Sequence, residues 1–111
     1  MIVVAVRDLL FRSKITSAAE RLAVPIVLVP RDRPLADVVR EAPGASVLAD
    51  LNQPGLVSEL AALKRDTGAR VVGFLGHLQA DLIEAAEEAG VDEVLTRGQL
   101  TGRLDEVLRR G

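Results

Sequence analysis

Five short apolar runs, separated by segments with helical patterning, constrain the fold of this chain more than any other feature. The runs have four or five residues each and lie at residues 2–6, 26–29, 46–49, 71–75 and 91–95. The third run opens with Ser46, and the fifth contains Asp92 and Glu93. Short runs rich in apolar residues are typical of strands that are buried on both faces of a parallel sheet. We therefore predict five parallel strands in this order along the chain.

Each segment after a run predicts a helix. In the first segment, apolar residues recur at positions 11, 15, 18, 19 and 22, which is the spacing of one buried helix face. The second and third helices are predicted to begin at Leu35 and Leu56. The fourth is predicted to begin at Asp81, which can cap it, and the fifth covers residues 100–108. Gly68 is predicted to end the third helix.

This alternation of strands and helices requires right-handed crossovers with helices on both faces of the sheet. The predicted fold is a single flavodoxin-like α/β domain over residues 1–111. It is a three-layer sandwich with strand order 2-1-3-4-5 and five helices.

Composition and charge exclude several functions. The formal net charge is −2, with 14 basic and 16 acidic residues and no long block of like charge, so neither nucleic acid nor a membrane is an expected partner. Phe11 and Phe74 are the only aromatic residues, too few for base stacking, and the absence of cysteine excludes thiol chemistry. The N-terminal apolar run is too short for a signal peptide, and we expect a cytoplasmic protein.

Charged and polar residues gather where the first and third predicted strands end. Arg7 and Asp8 follow the first strand, while Asp50 and Asn52 follow the third. In open parallel sheets, ligands bind beyond the carboxyl ends of the strands where the strand order reverses, which here lies between these two strands. Two neighbouring carboxylates fit a Mg²⁺ site. The alternative, which the spacing alone favours, is that Asp8 caps a helix and Asp50 begins a turn.

The segment Asp50-Leu51-Asn52-Gln53-Pro54-Gly55 resembles the phosphoacceptor segment of response-regulator receiver domains. Residues 85–90 and 91–95 are similar to the end of the fourth helix and to the fifth strand of that family, and the resemblance covers the whole chain. It implies that Asp50 is the phosphoacceptor. It also implies that Asp8, Asp50 and the backbone carbonyl of Asn52 bind Mg²⁺ weakly, and that the partner is a histidine kinase or a downstream effector protein.

Three positions depart from the receiver pattern. Arg7 stands where receivers carry a first acidic residue, Leu75 or Gly76 stands where they carry a hydroxyl group, and Arg97 replaces a lysine. Arg97 and Arg7 are therefore the candidates to contact a phosphoryl group or to serve as counter-ions of Asp50. Loss of the hydroxyl weakens the coupling between phosphorylation and a conformational change.

Three hypotheses about function follow. The first is a divergent receiver-like signalling domain that acts through protein contacts, with Mg²⁺-dependent phosphorylation on Asp50. The second is a domain that binds its partner without phosphorylation. The distant third is a small enzyme using Asp8 and Asp50, against which the bulky side chains after the first strand argue, because they leave little room for a pocket. We predict no catalytic residue.

Two surfaces are candidates for partner binding. Leu9, Leu10 and Phe11 follow the first strand and either cover the core or form an apolar lip. The face made by the fourth helix, fifth strand and fifth helix is one that receivers use for partners and dimers, which makes it the candidate surface for a homodimer. His77, the only histidine, follows the fourth strand, where a solvated side chain is more common than a catalytic one.

Overall fold

A five-stranded parallel sheet forms the centre of the fold in the computed structural model, which describes residues 1–111. The strand order is β2-β1-β3-β4-β5, and every neighbouring pair is parallel. The strands are β1 (Ile2–Ala5), β2 (Ile26–Leu28), β3 (Ser46–Asp50), β4 (Val71–Leu75) and β5 (Glu93–Thr96). The predicted sheet and its order are thereby confirmed.

Helices cover both faces of this sheet. One face carries α1 (Leu9–Leu22), α5 (Arg97–Gly102) and α6 (Leu104–Arg110), and the other carries α2 (Leu35–Arg40), α3 (Leu56–Thr67) and α4 (Ala80–Glu88). Alternate side chains of β1 enter two apolar clusters, Val3 on the side of α3 and Val4 on the side of α1. None of these helices combines the length and hydrophobicity that crossing a bilayer requires.

The structure has six helices because the predicted fifth helix is divided in two. The Thr96 hydroxyl accepts a hydrogen bond from the Gln99 N–H at 3.0 Å, and the Gln99 side chain accepts one from the Thr96 N–H at 2.9 Å. This capping box starts α5 at Arg97, three residues before the predicted start. The backbone of Arg103, with φ −120° and ψ 16°, leaves the helical region and separates α5 from α6.

The fourth helix begins earlier than predicted. Its N-cap is Gln79, whose side chain makes no capping hydrogen bond, and Asp81 lies in the first helical turn. The Asp81 carboxylate is favourable there because it faces the positive end of the helix dipole. Gly68 ends α3 as predicted, with φ 67°, a left-handed conformation that glycine adopts without strain.

Gly73 in β4 leaves room for the side chain of Leu51, the first residue of the loop that follows β3. A Cβ atom at Gly73 would lie 2.7 Å from Cδ2 of Leu51, so only glycine leaves room for that buried side chain. The Leu51 N–H also donates to the carbonyl of Phe74 at 2.8 Å. The residue after Asp50 is thus held in the core, and its neighbours Asp50 and Asn52 are held at the edge of the sheet.

Candidate functional site at the carboxyl edge of the sheet

The carboxyl ends of β1, β3, β4 and β5 bring most of the predicted site residues to one edge of the sheet. Asp8 follows β1, Asp50 ends β3, Gly76 follows β4, and Arg97 follows β5. Parallel strands end on the same side, so residues far apart in sequence meet there.

Asp8 is engaged through both of its carboxylate oxygens. Oδ1 accepts a hydrogen bond from the Phe11 N–H at 3.1 Å, which makes Asp8 the N-cap of α1. Oδ2 lies 3.5 Å from the guanidinium of Arg97. The capping role that we weighed as an alternative is therefore the one present, and it is combined with an ion pair.

Arg97 lies between the ends of β1 and β4. Its guanidinium stacks over the ring of Phe11, 5.1 Å from the centroid, and Phe11 in turn packs against Phe74 at a centroid distance of 4.9 Å. The guanidinium also lies close to Gly76, where a Cβ atom would be 3.6 Å from the guanidinium carbon, an ordinary contact distance. The Nε atom of Arg97 is buried without a hydrogen-bond partner.

Asp50 stabilises its own turn. Its Oδ1 accepts a hydrogen bond from the Asn52 N–H at 3.0 Å, and its carbonyl accepts one from the Gln53 N–H at 3.1 Å. This is the Asx-turn arrangement that aspartate commonly forms at the start of a loop. The side chain is half-buried, and Oδ2 accepts no hydrogen bond.

The side chain of Asn52 ties the loop after β3 to the loop after β4. Its Oδ1 accepts hydrogen bonds from the Gly76 N–H at 2.7 Å and the His77 N–H at 3.1 Å, and its Nδ2 donates to the His77 carbonyl at 3.3 Å. Sequence reasoning singled out only the backbone carbonyl of this residue. No sequence signal pairs Asn52 with residues 76 and 77, because their proximity depends on how β3 and β4 are aligned.

The remaining predicted residues lie apart from this network. Arg7 is exposed and forms no ion pair, so the counter-ion role expected for it stays a prediction. Leu75 is buried and Gly76 offers only its backbone, so neither supplies a hydroxyl. His77 is exposed, and its hydrogen bonds are made by its backbone.

The donor set does not fit a compact Mg²⁺ site. Both oxygens of Asp8 are engaged, and the positive charge of Arg97 lies beside them. No group of three histidine, aspartate or glutamate side chains is close enough to hold a metal ion. Mg²⁺ prefers carboxylates with several waters in near-octahedral geometry, and a neighbouring guanidinium competes for the same negative charge.

A second polar cluster that sequence reasoning missed lies at the opposite edge of the sheet. Asp92, in the turn before β5, accepts hydrogen bonds from Lys64 of α3 and from the Val71 N–H, both at 2.8 Å. Burial alone raises the pKa of the Asp92 carboxyl. The hydrogen bonds from Lys64 and Val71 and the charges of Lys64 and Arg70 outweigh burial and hold that pKa below its usual range.

The structure resembles solved receiver domains over nearly its whole length. The response-regulator receiver domain from Rhodospirillum rubrum matches with a TM-score of 0.72 at 17% identity, covering 96% of this chain and 90% of that one. The Mn²⁺-bound response regulator Rcp1 matches with a TM-score of 0.69 at 19% identity, covering 98% and 88%.

The fold is that of a response-regulator receiver domain. The receiver fold also occurs in a candidate pilus assembly protein from Burkholderia thailandensis, which matches with a TM-score of 0.62 at 20% identity, covering 98% of this chain and 94% of that one. No protein-family model and no curated protein matches the sequence. The likeness therefore concerns the receiver fold, and the chemistry must be argued from the side chains at the carboxyl edge.

Proposed function

We propose that this chain is a receiver-like signalling domain that acts by binding another protein and does so without phosphorylation of Asp50. The single observation that carries the proposal is the bridge made by Asn52. Its amide oxygen accepts both backbone N–H groups that follow β4, at 2.7 and 3.1 Å. These donors follow β4 at the same edge of the sheet as Asp50, and they already donate within the protein.

A phosphoryl group on Asp50 would find few partners. Its oxygens need cations and hydrogen-bond donors around them. Gly76 and His77 donate to Asn52, Arg97 is paired with Asp8 and stacked on Phe11, and no hydroxyl follows β4. A modification shifts a conformational equilibrium only by interacting differently with the two states, and few groups remain here to do so.

Weak Mg²⁺ binding follows from the same arrangement. Asp8 would have to give up either its cap or its ion pair to become a ligand, and Arg97 would repel the metal. Asp50 and the carbonyl of Asn52 alone make a poor site for an ion that demands six ordered ligands. The chain would therefore not act as an enzyme through Asp8 and Asp50.

Phosphorylation of Asp50 is the second candidate function, and one observation favours it. The carboxylate is half-exposed and one of its two oxygens, Oδ2, has no hydrogen-bond partner. A phosphodonor could thus reach the nucleophile. In this case Arg97 would leave Asp8 and contact the phosphoryl oxygens, and the partner would be a histidine kinase.

Amide NMR shifts on titration with Mg²⁺ and beryllofluoride, a phosphoryl mimic, separate the two candidates. We expect no saturable shifts at Asp50, Gly76 or Arg97. Asp50→Asn is the matched control, because it keeps the size of the side chain and removes the acceptor charge. Saturable shifts at these three residues that vanish in Asp50→Asn would overturn the proposal and establish the phosphorylated form.

A further inference from the structure

Every exposed residue of helix α4 except Ala80 is acidic. Asp81, Glu84 and Glu88 follow one another at intervals of three and four residues, and Glu87 lies beside them. All four are exposed, none forms an ion pair, and α4 contains no lysine or arginine. Like charges at this spacing repel each other, and acidic groups in the last turn oppose the helix dipole, so the face is unfavourable in the isolated chain.

An apolar groove runs beside this acidic face. It lies between α4, β5 and the start of α5 and has a volume of about 150 Å³. Leu78, Ile83 and Val94 are among its apolar lining residues, and Glu87, Thr96 and Gln99 are its polar ones. Leu78 is 70% exposed, which is unusual for a large apolar side chain in a chain whose other leucines are mostly buried. The groove is open to solvent and large enough for one leucine side chain.

The start of α1 carries the complementary features. Leu9 and Leu10 project from its first turn and are 70% and 81% exposed. Lys14 lies one turn after Leu10 and Arg12 lies one turn after Leu9, so each leucine has a cation beside it on the helix surface. Arg7 precedes them, and none of these three cations forms an ion pair. We call the surface formed by residues 7–14 the basic tip.

We propose that the basic tip of one copy docks onto a second copy, with Leu10 in the apolar groove and with Lys14 and Arg12 facing the carboxylates of α4. The two surfaces match in charge and in apolar content. The basic tip belongs to the helix layer of α1 and the groove to that of α4, on opposite faces of the sheet. One copy therefore cannot join its own surfaces, and the contact is head-to-tail.

A head-to-tail contact leaves one free tip and one free groove on every open assembly. Such contacts form rings if the rotation closes and open chains if it does not. The association requires neither Mg²⁺ nor phosphorylation, so it can be measured independently of the chemistry at Asp50. Because the contact joins opposite charges at its rim, it should weaken as salt rises.

Sedimentation velocity over a wide range of protein concentration, at low and high salt, tests the proposal. For the unmodified chain we expect a mass that grows beyond the dimer with concentration at low salt. Leu10→Asp removes the tip and Leu78→Asp removes the groove, and each alone should weaken association by at least about tenfold. Arg65→Glu, at an exposed position of α3, is the control and should behave like the unmodified chain.

Mixing the two disabled variants gives the decisive result. Leu10→Asp keeps an intact groove and Leu78→Asp keeps an intact tip, so an equimolar mixture should form a dimer that grows no further. The substitutions lie at exposed positions, and circular dichroism verifies that each variant is folded. A monomeric unmodified chain at every concentration would overturn the proposal, as would a mixture that stays monomeric.

Discussion

Substitution of Asn52 by alanine tests the bridge on which the proposed function rests. The change removes three hydrogen bonds between the loops after β3 and β4, two accepted by Oδ1 and one donated by Nδ2. The bridge is exposed, and water replaces part of what is lost. We assign about 0.5–1 kcal/mol to each of the two accepted bonds and about 0.3 kcal/mol to the longer donated one. The expected loss in the free energy of unfolding is about 1.3–2.3 kcal/mol.

The sharper readout is local. Without the amide oxygen, the N–H groups of Gly76 and His77 lose their only protein acceptor, so their hydrogen exchange should accelerate by about tenfold, the factor that corresponds to 1.4 kcal/mol. Amide exchange followed by NMR measures this residue by residue, and urea unfolding measures the global change.

Asn52→Asp is the matched control, because a carboxylate keeps both accepted bonds and loses only the donated one. Exchange at Gly76 and His77 should stay slow in this variant. The reasoning is refuted if Asn52→Ala leaves both the exchange rates and the unfolding free energy unchanged, since the bridge would then hold nothing in place. It is also refuted if the alanine and aspartate variants exchange equally fast.

Three further predictions concern the scaffold. Gly73→Ala places a methyl group against the buried side chain of Leu51 and should lower the free energy of unfolding by about 1–3 kcal/mol, measured by urea titration. Thr96→Ala removes the capping hydroxyl of α5 and should lower it by about 1 kcal/mol, whereas Thr96→Ser should retain most of that stability. Because the folded-state pKa of Asp92 is depressed, its contribution to stability is complete above the unfolded-state pKa of about 4 and is lost as the pH falls through the folded-state value. The stability difference between the unmodified chain and Asp92→Asn should therefore be largest near neutral pH and shrink in acid.

Each of these predictions has an outcome that contradicts it. An unchanged Gly73→Ala variant would mean that Leu51 can leave its position at no cost. Equal stabilities of Thr96→Ala and Thr96→Ser would mean that the capping box does not support α5. A difference for Asp92→Asn that grows in acid would reverse the sign expected for a carboxyl whose pKa is lowered by its partners.

The ion pair at the carboxyl edge of the sheet differs from the counter-ion of Asp50 that the residue types suggested. Two arginines were candidates for a counter-ion, and Arg97 is the one that lies next to a carboxylate, although that carboxylate is Asp8 and not Asp50. The exchange of lysine for arginine explains why. A planar guanidinium can stack on Phe11 while it pairs with Asp8, which the compact ammonium of lysine cannot do in the same way.

The sequence by itself determined the architecture. Short runs rich in apolar residues that alternate with helical patterns predict a parallel sheet with helices on both faces, and the structure has that sheet in the predicted strand order. The roles of Asp8 as a helix cap and Asp50 in a turn also follow from local chemistry, since both bonds reach only two or three residues along the chain.

Only the tertiary structure decided what the carboxyl edge contains. The bridge from Asn52 to residues 76 and 77 and the ion pair from Asp8 to Arg97 join positions 24 to 89 residues apart. Their formation depends on strand register and on the room that Gly73 leaves for the side chain of Leu51. Local pattern carries no information on either, because side chains meet across parallel strands only after the core has set the alignment of those strands.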